Sequence, residues 1–409
     1  MTPPGRPGAN GYVVVGGGVA GICAAWHLAD ATDEPVTLLE RRDRVGRETT
    51  AKSGAFVGHW GHESPTGLSL LQDGIRFYNQ HLDASPDGPR YLHRGRLHVA
   101  TSDEGDEALR SWFRTNLGVA AGDAPVTAEK GAPVQYLPGD SLGERLVLSG
   151  LDLDRVTGAI YSPTVGFVDE PGLLAVALAN RARQAGVAIE TGVTVTDVAT
   201  ADGRVEGVVA DGDLRPAAEV VCAAGPWNRR LCATAGVELP VRHTRGPMLS
   251  LAATPPHGGP ALFHEETGVY TRPNPDGTLS VGHYPGEYEV AAVLPPSVGT
   301  DPIPADRRQA CLAAARQLLP GVADGAVREE WMGVRTLTPD GEPIVGRLGV
   351  EGLSVLSFNA NGIQLAPAAG RIVRAQLVDD RPSPAYDAVS IARFDGYDDS
   401  RPDWEVGDA

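Results

Sequence analysis

The run Tyr12-Val13-Val14-Val15-Gly16-Gly17-Gly18-Val19-Ala20-Gly21, followed by Val36-Thr37-Leu38-Leu39-Glu40, constrains the fold of this chain more than any other stretch. An apolar strand enters G-x-G-x-x-G, an Ala-rich helix follows, and a second apolar strand ends in an acid. Each part has a physical task. Gly16 permits a tight turn, Gly18 lets a pyrophosphate approach the backbone, and Gly21 lets helix and strand pack closely. The helix start, with Val19 and Ala20, offers free N–H groups and partial positive charge to phosphates. Glu40 is placed to accept hydrogen bonds from ribose hydroxyls. The pattern predicts a βαβ dinucleotide site in an α/β protein.

Length and charge bound the rest. The chain has 409 residues, which argues for two domains. Lys and Arg number 35 against 52 Asp and Glu, so the net charge of −17 disfavours nucleic acid and anionic membranes as partners. Cys23, Cys222, Cys232 and Cys311 are scattered, which predicts neither a metal site nor a disulfide framework and fits a reducing cytoplasm. The opening Met1 to Gly11 lacks the basic and apolar regions of a signal peptide. No apolar run approaches the roughly twenty residues of a membrane span.

Along the chain, residues 67–82 carry a helical apolar pattern, Arg96 to Ala100 reads as a strand, and Glu104 to Leu117 as a helix. Residues 118–150 read as loop-rich. A helix over 171–186 starts at Pro171, a favoured first-turn residue. Short strands are expected at 188–190, 193–195 and 205–209, with Asp202-Gly203 as a hairpin turn. Strand-like runs alternate with turns from 241 to 290. Arg307 to Leu319 reads as a helix, and 352–376 as strand, turn, helix. The expected organisation is a discontinuous nucleotide domain (1–88, 162–236 and 326–385), a discontinuous substrate domain (89–161 and 237–325), and a surface extension (386–409).

Three further motifs accompany the dinucleotide unit: Val221-Cys222-Ala223-Ala224-Gly225-Pro226-Trp227; Val269-Tyr270-Thr271-Arg272-Pro273 with Asp276-Gly277 and Val281-Gly282; and Trp331 to Gly346, continuing through Asn359 to Gly370. With these four motifs in order over residues 11 to 380, the chain resembles the D-amino acid oxidase/glycine oxidase family of FAD-dependent enzymes. The resemblance implies a Rossmann-like FAD-binding domain of the GR2 type interwoven with an antiparallel-sheet substrate domain. It implies FAD, held noncovalently, since no Cys lies near residues 330–370 and no His matches the N-terminal attachment position. It extends the expected flavin contacts to Arg41, Thr49, Thr50, Ala51, Val193, Ala224, Gly225, Trp227, Gly333, Asn361, Gly362, Ile363 and Gln364. The helix opening at Gly362 is expected to face the flavin pyrimidine, where its dipole favours negative charge.

The same resemblance makes Arg335 the arginine that grips a substrate carboxylate and Tyr270 a hydrogen-bonding partner of that group. A guanidinium suits a carboxylate because it binds it with two prongs. The alternatives to these roles are a structural ion pair with an Asp or Glu for Arg335 and a core aromatic with a satisfied hydroxyl for Tyr270. Lys52 replaces a residue usual in the family, and flavin, substrate, oxygen or solvent are its open partners. His59 and His62 read as pocket or loop residues. Arg41-Arg42 beside Glu40 suit ordinary ribose or phosphate neighbours. The expected chemistry is oxidation of a C–N bond of an amino acid or N-alkyl amino acid, by hydride transfer to flavin N5 and imine hydrolysis. A dehydrogenase with another acceptor, a hydroxy-acid enzyme, and a flavin-binding subunit of a hetero-oligomeric oxidase are the alternatives.

Overall fold

Tyr12–Val15 is buried at every position, as expected of a strand covered on both faces of a parallel sheet. In the computed structural model it lies in the middle of a six-stranded sheet. The order is Ala188–Thr191, Val36–Glu40, Tyr12–Val15, Glu219–Cys222, Leu353–Ser357, Ile344–Arg347. All neighbours run parallel except the last pair. The structure describes residues 11–58, 65–82, 88–117, 126–127, 133–146, 148, 150–252, 259–283, 302–321, 325–379, 381 and 384–396.

Helices Val19–Ala29 and Gly362–Leu377 pack against each other beside this sheet. Small residues set the spacing. A Cβ on Gly370 would stand 2.8 Å from the Cys23 carbonyl oxygen, so only glycine lets the two backbones meet. Ile22, Leu28, Leu38, Leu178 and Ala366 fill the layer between helices and sheet, all fully buried. A three-stranded meander, Val195–Ala201, Arg204–Ala210 and Asp213–Pro216, is appended. Its turns, Asp202-Gly203 and Asp211-Gly212, hold all four residues at positive φ. That is the type I′ pattern that Asp-Gly favours.

The second sheet has nine strands in the order Val327–Leu337, Arg242–Ala252, Thr278–His283, Val269–Pro273, Ala261–His264, Arg96–Ala100, Gly158–Ser162, Pro133–Pro138, Val126–Thr127. It is antiparallel apart from the pairing of Ala261–His264 with Arg96–Ala100. Helix Ala305–Leu318 buries Cys311, Ala315 and Leu318 among its strands' side chains. A small sheet of Phe56–Val57, Gly166–Val168 and Tyr91–His93 completes the set.

Three regions differ from the sequence reading. Val327–Leu337, grouped there with the nucleotide domain, is the edge strand of the nine-stranded sheet and pairs with the strand Arg242–Ala252 from Arg242 to Leu251. The stretch 118–150, read as loop, contains the strand Pro133–Pro138, whose Tyr136 is buried. The C-terminal extension is docked through residue 394. Val389 is fully buried, and the Arg393 guanidinium holds both carboxylate oxygens of Asp340 at 2.6 and 3.0 Å. Among the described residues no helix is long and apolar enough to cross a membrane, and no His, Cys, Asp and Glu group could hold a metal. The four cysteines are buried thiols.

Helix Gly362–Leu377 contains Pro367, which has no N–H for the Ile363 carbonyl four residues earlier. The Tyr78 hydroxyl fills that vacancy, donating to Ile363 O at 2.5 Å. Burial raises the Tyr78 phenol well above its ordinary pKa, so it remains a donor. Tyr78→Phe leaves a buried carbonyl unpaired and is expected to cost about 1–3 kcal/mol in urea unfolding.

Candidate active site

The glycine-rich turn is built around close backbone contacts. Gly16 has φ 112°, and a Cβ there would lie 2.5 Å from the Ala223 carbonyl oxygen. A Cβ on Gly21 would lie 2.0 Å from the Gly16 oxygen. Both glycines therefore serve the fold, and Gly21 does not line the groove. Gly18 differs. Its backbone is ordinary extended chain, φ −76° and ψ 174°, and a Cβ would meet nothing nearer than Thr50 Oγ1 at 3.3 Å. The space above it is open. Thr50 Oγ1 accepts from the Val19 N–H at the helix start.

Glu40 ends the second strand and is buried. Its Oε2 accepts from Gly17 N and its Oε1 from Arg42 N, both at 2.7 Å. Two main-chain N–H groups fix the carboxylate while each oxygen retains acceptor capacity, as ribose binding requires. A long groove starts here. Gly16, Gly18, Val19, Ala20, Glu40, Arg41, Thr49, Thr50 and Val193 line it, together with Ala224, Gly225, Trp227, Gly362 and Ile363. A second cavity continues from it and shares Glu48, Thr49, Ser53, Trp227, Val334, Ala360 and Ile363. Its own walls include Lys52, Phe56, Arg96, Tyr270, Gly333, Arg335, Asn361 and Gln364.

Ala51, like Gly21, is an expected contact that lies off the groove. It is exposed, lines neither cavity and lies beside Gly172. Arg41 reaches across the groove: its guanidinium stacks 3.9 Å from the Trp227 ring centroid, and Nη2 donates to Glu48 Oε1 at 2.8 Å. Arg42 Nε donates to the same oxygen at 2.5 Å. His59 and His62 lie outside the described residues.

The second cavity is assembled from the nine-stranded sheet, the small sheet, the loops beside them and the start of the Gly362 helix. Arg335 is buried on the edge strand, in register with Thr244. Tyr270 comes from Val269–Pro273, three strands away in the same sheet. Its ring lies over Gly282, where a Cβ would come within 2.2 Å of the ring, and its hydroxyl donates to Met248 Sδ at 2.8 Å. Phe56 stands edge-on to it, ring centroids 5.9 Å apart. Opposite these strands' residues in the lining, the Gly362 helix contributes Ile363 and Gln364 of its first turn. Gln364 Oε1 accepts from Gly58 N at 3.1 Å, tying that turn to the cavity loop. Burial lowers the Lys52 ammonium's pKa, opposed by the Glu48 charge, and the Lys52 carbonyl accepts from Trp331 Nε1 at 3.1 Å.

Glu48, Phe56, Arg96 and Met332 also line the cavity, and Arg272 stands behind it, with no motif signal to mark them as such. Arg272 is a clamp: buried, its pKa lowered to about 10 by desolvation, it donates to Gly54 O at 2.8 Å and Val168 O at 3.0 Å. It holds the 52–56 loop against the cavity. Arg96 carried one legible signal, an arginine opening a strand whose other positions are apolar or His.

The family model for FAD-dependent oxidoreductases named DAO matches residues 12–376, nearly the whole chain. The chain belongs to the DAO family of FAD-dependent oxidoreductases. The glycine oxidase of Pseudomonas putida is 30% identical over 380 residues, covering 90% of this chain and 95% of that protein. The 4-methylaminobutanoate oxidase (formaldehyde-forming) of Paenarthrobacter nicotinovorans is 27% identical over 95% of this chain, which spans only 46% of that protein's length. In three dimensions the chain is similar to L-proline dehydrogenase from P. horikoshii, with TM-score 0.79, 18% identity and coverage of 96% of this chain and 99% of that one.

FAD is thus the dinucleotide of this family member, and the groove fits it. The open backbone at Gly18, the fixed Glu40 carboxylate and the lining that reaches Gly362 would suit a pyrophosphate, a ribose and a flavin ring in turn. All four cysteines are buried and none lines either cavity. Denaturing the purified protein with acid is expected to release free FAD. Yellow colour remaining with the precipitate after acid and washing would show a covalent bond.

Proposed function

We propose that this flavoenzyme oxidises the C–N bond of an amino acid or N-alkyl amino acid. The observation that carries the reading is the convergence of buried Arg335 and Tyr270 on a cavity continuous with the FAD groove. A buried guanidinium facing a small cavity suits an anionic ligand, and a carboxylate matches its two-pronged geometry. The glycine oxidase relative supports an amino acid as substrate, and the 4-methylaminobutanoate oxidase supports an N-methyl amine.

Bound FAD supplies the two-electron acceptor. The side chains orient and tune. Arg335 holds the carboxylate and thereby fixes the position of Cα. Tyr270 adds a hydroxyl to the same group, its ring held by Gly282 and Phe56. The positive end of the Gly362 helix dipole and the Lys52 ammonium favour negative charge in the cavity that Ile363, Gln364 and Lys52 line. The substrate amine enters neutral, so the α-hydrogen leaves with its electron pair and no base on the chain is required. The imine that results takes up water and releases an amine or ammonia, leaving an oxo acid, or an aldehyde when an N-alkyl carbon is oxidised.

The test is anaerobic. Amino acids and N-methyl amino acids are mixed with the holoenzyme, and loss of flavin absorbance is followed. Bleaching by amino compounds with no response to the matching 2-hydroxy acids supports the reading. Bleaching by hydroxy acids alone overturns it. Admitting air to the bleached enzyme then separates an oxidase, which recovers its colour rapidly, from a dehydrogenase that needs an added acceptor.

A further inference from the structure

Ser357 ends the strand Leu353–Ser357 and is 2% exposed, yet among the described residues its Oγ has no hydrogen-bond partner. Leu353 and Val355, on the same face of the strand, are fully buried in one apolar cluster with Val15, Leu39 and Leu231. Val15, Leu39, Leu231 and Ser357 all line the FAD groove. Alanine would serve that packing without cost. A buried hydroxyl left unpaired is unfavourable, and native proteins pair nearly all such groups.

Three other hydroxyls of the groove are paired. Thr50 Oγ1 accepts from Val19 N at 3.2 Å, Ser53 Oγ accepts from Ala55 N at 2.9 Å, and Thr336 Oγ1 lies 3.1 Å from His243 Nδ1. Among the described residues, one further wall residue of this groove carries a buried polar atom without a partner, Trp227 with its Nε1. Both orphans can donate, and the acceptors that enter this groove are the oxygens of FAD.

Strand register narrows which oxygens. Val355, Cys222 and Val15 stand in one row across three parallel strands. Ser357 lies two residues beyond that row, on the carboxyl-end side where open parallel sheets bind their ligands. The row leads to the Gly16 turn, and the strand of Ser357 leads to the helix starting at Gly362, which lines the same groove. The stretch of FAD that joins its phosphates to its ring is the ribityl chain, and phosphates and ribityl are both rich in acceptors.

We propose that Ser357 is a cofactor-binding residue whose hydroxyl donates to an oxygen of the phosphate–ribityl stretch of FAD. The hydroxyl is paired in the holoenzyme and costs stability in the FAD-free chain. Ser357 holds the cofactor and takes no part in the redox step.

The test separates cofactor binding from folding. FAD-free full-length protein is titrated with FAD by quenching of flavin fluorescence, and its urea unfolding is followed in parallel. In Ser357→Ala the dissociation constant for FAD is expected to rise at least about 5-fold, the scale of one neutral hydrogen bond, and further if the acceptor is a charged phosphate oxygen. The urea midpoint of the FAD-free variant should equal or exceed that of the wild type, because an unpaired polar group has gone. Ser357→Cys keeps a side chain of similar shape with a weak donor, and should also lose affinity. The rate of FAD release from diluted holoenzyme should rise in both variants. An unchanged dissociation constant in Ser357→Ala overturns the proposal and leaves the hydroxyl to water. A lowered urea midpoint of the FAD-free variant overturns it as well, since Ser357 is then structural. Full affinity in Ser357→Cys beside a loss in Ser357→Ala also overturns it, because volume then does the binding. If Ser357→Ala does not fold, Ser357→Cys decides by the same affinity and release measurements.

Discussion

Replacing Arg335 by leucine is expected to leave FAD bound and to lower kcat/KM for carboxylate substrates by roughly 30- to 5000-fold, the equivalent of about 2–5 kcal/mol. Leucine matches the buried surroundings, since Arg335 is only 6% exposed, so the fold should persist. The loss arises because the substrate carboxylate would leave water without gaining a charge-assisted partner. It should appear chiefly as a raised KM, with amines lacking a carboxylate little affected. Arg335→Lys makes the distinction sharper: it retains the charge and loses the fork, so partial recovery identifies bidentate binding. Near-normal kinetics for amino acids in the leucine variant would make Arg335 structural and reopen the substrate class.

Gly18→Val is expected to give a folded, colourless protein. Gly18 and Gly16 differ in what a side chain would meet. At Gly18 the backbone is extended and a Cβ meets only a hydroxyl at 3.3 Å, so valine is sterically allowed there. Its methyl groups would then occupy the space where the pyrophosphate must approach the backbone. At Gly16, φ 112° and a carbonyl oxygen 2.5 Å from the added Cβ make valine incompatible with the native turn. Purification should return Gly18→Val with native circular dichroism and no flavin absorbance, and Gly16→Val in reduced yield. A Gly18→Val protein that carries stoichiometric FAD would place the cofactor elsewhere.

The parts of this site that were readable in advance share one property: their partners are close in sequence or held by a turn. Gly16, Gly18 and Glu40 fall within one βαβ unit, and Gln364 and Asn361 within one helix start. Arg335 and Tyr270 were readable through motif resemblance, which located the residues and not their surroundings. Ala51 shows the limit. It sits between Thr50 and Lys52, which line the cavities, yet its own side chain points to solvent, because neighbouring residues in a turn face different ways.

The strand Val327–Leu337 shows a second limit. Its sequence leads directly into Ile344–Arg347 of the parallel sheet, so a linear reading assigns both to one domain. Its ladder with Arg242–Ala252 places it in the other sheet. Strand pairing joins residues far apart in the chain, and local pattern carries no term for it. Arg96 follows the same rule. Locally it is a polar residue at a strand start, which reads as solvated surface. Pairing of Arg96–Ala100 with Ala261–His264, and the approach of Phe56 from a separate small sheet, bury it in the cavity. The sequence by itself determined the dinucleotide half and its cofactor, because backbone conformation and short-range spacing suffice to build a phosphate turn. The charge and shape of the cavity beyond the flavin were decided only by tertiary structure, where long-range strand pairing brings Arg96, Phe56, Tyr270 and Arg335 to one wall-to-wall space.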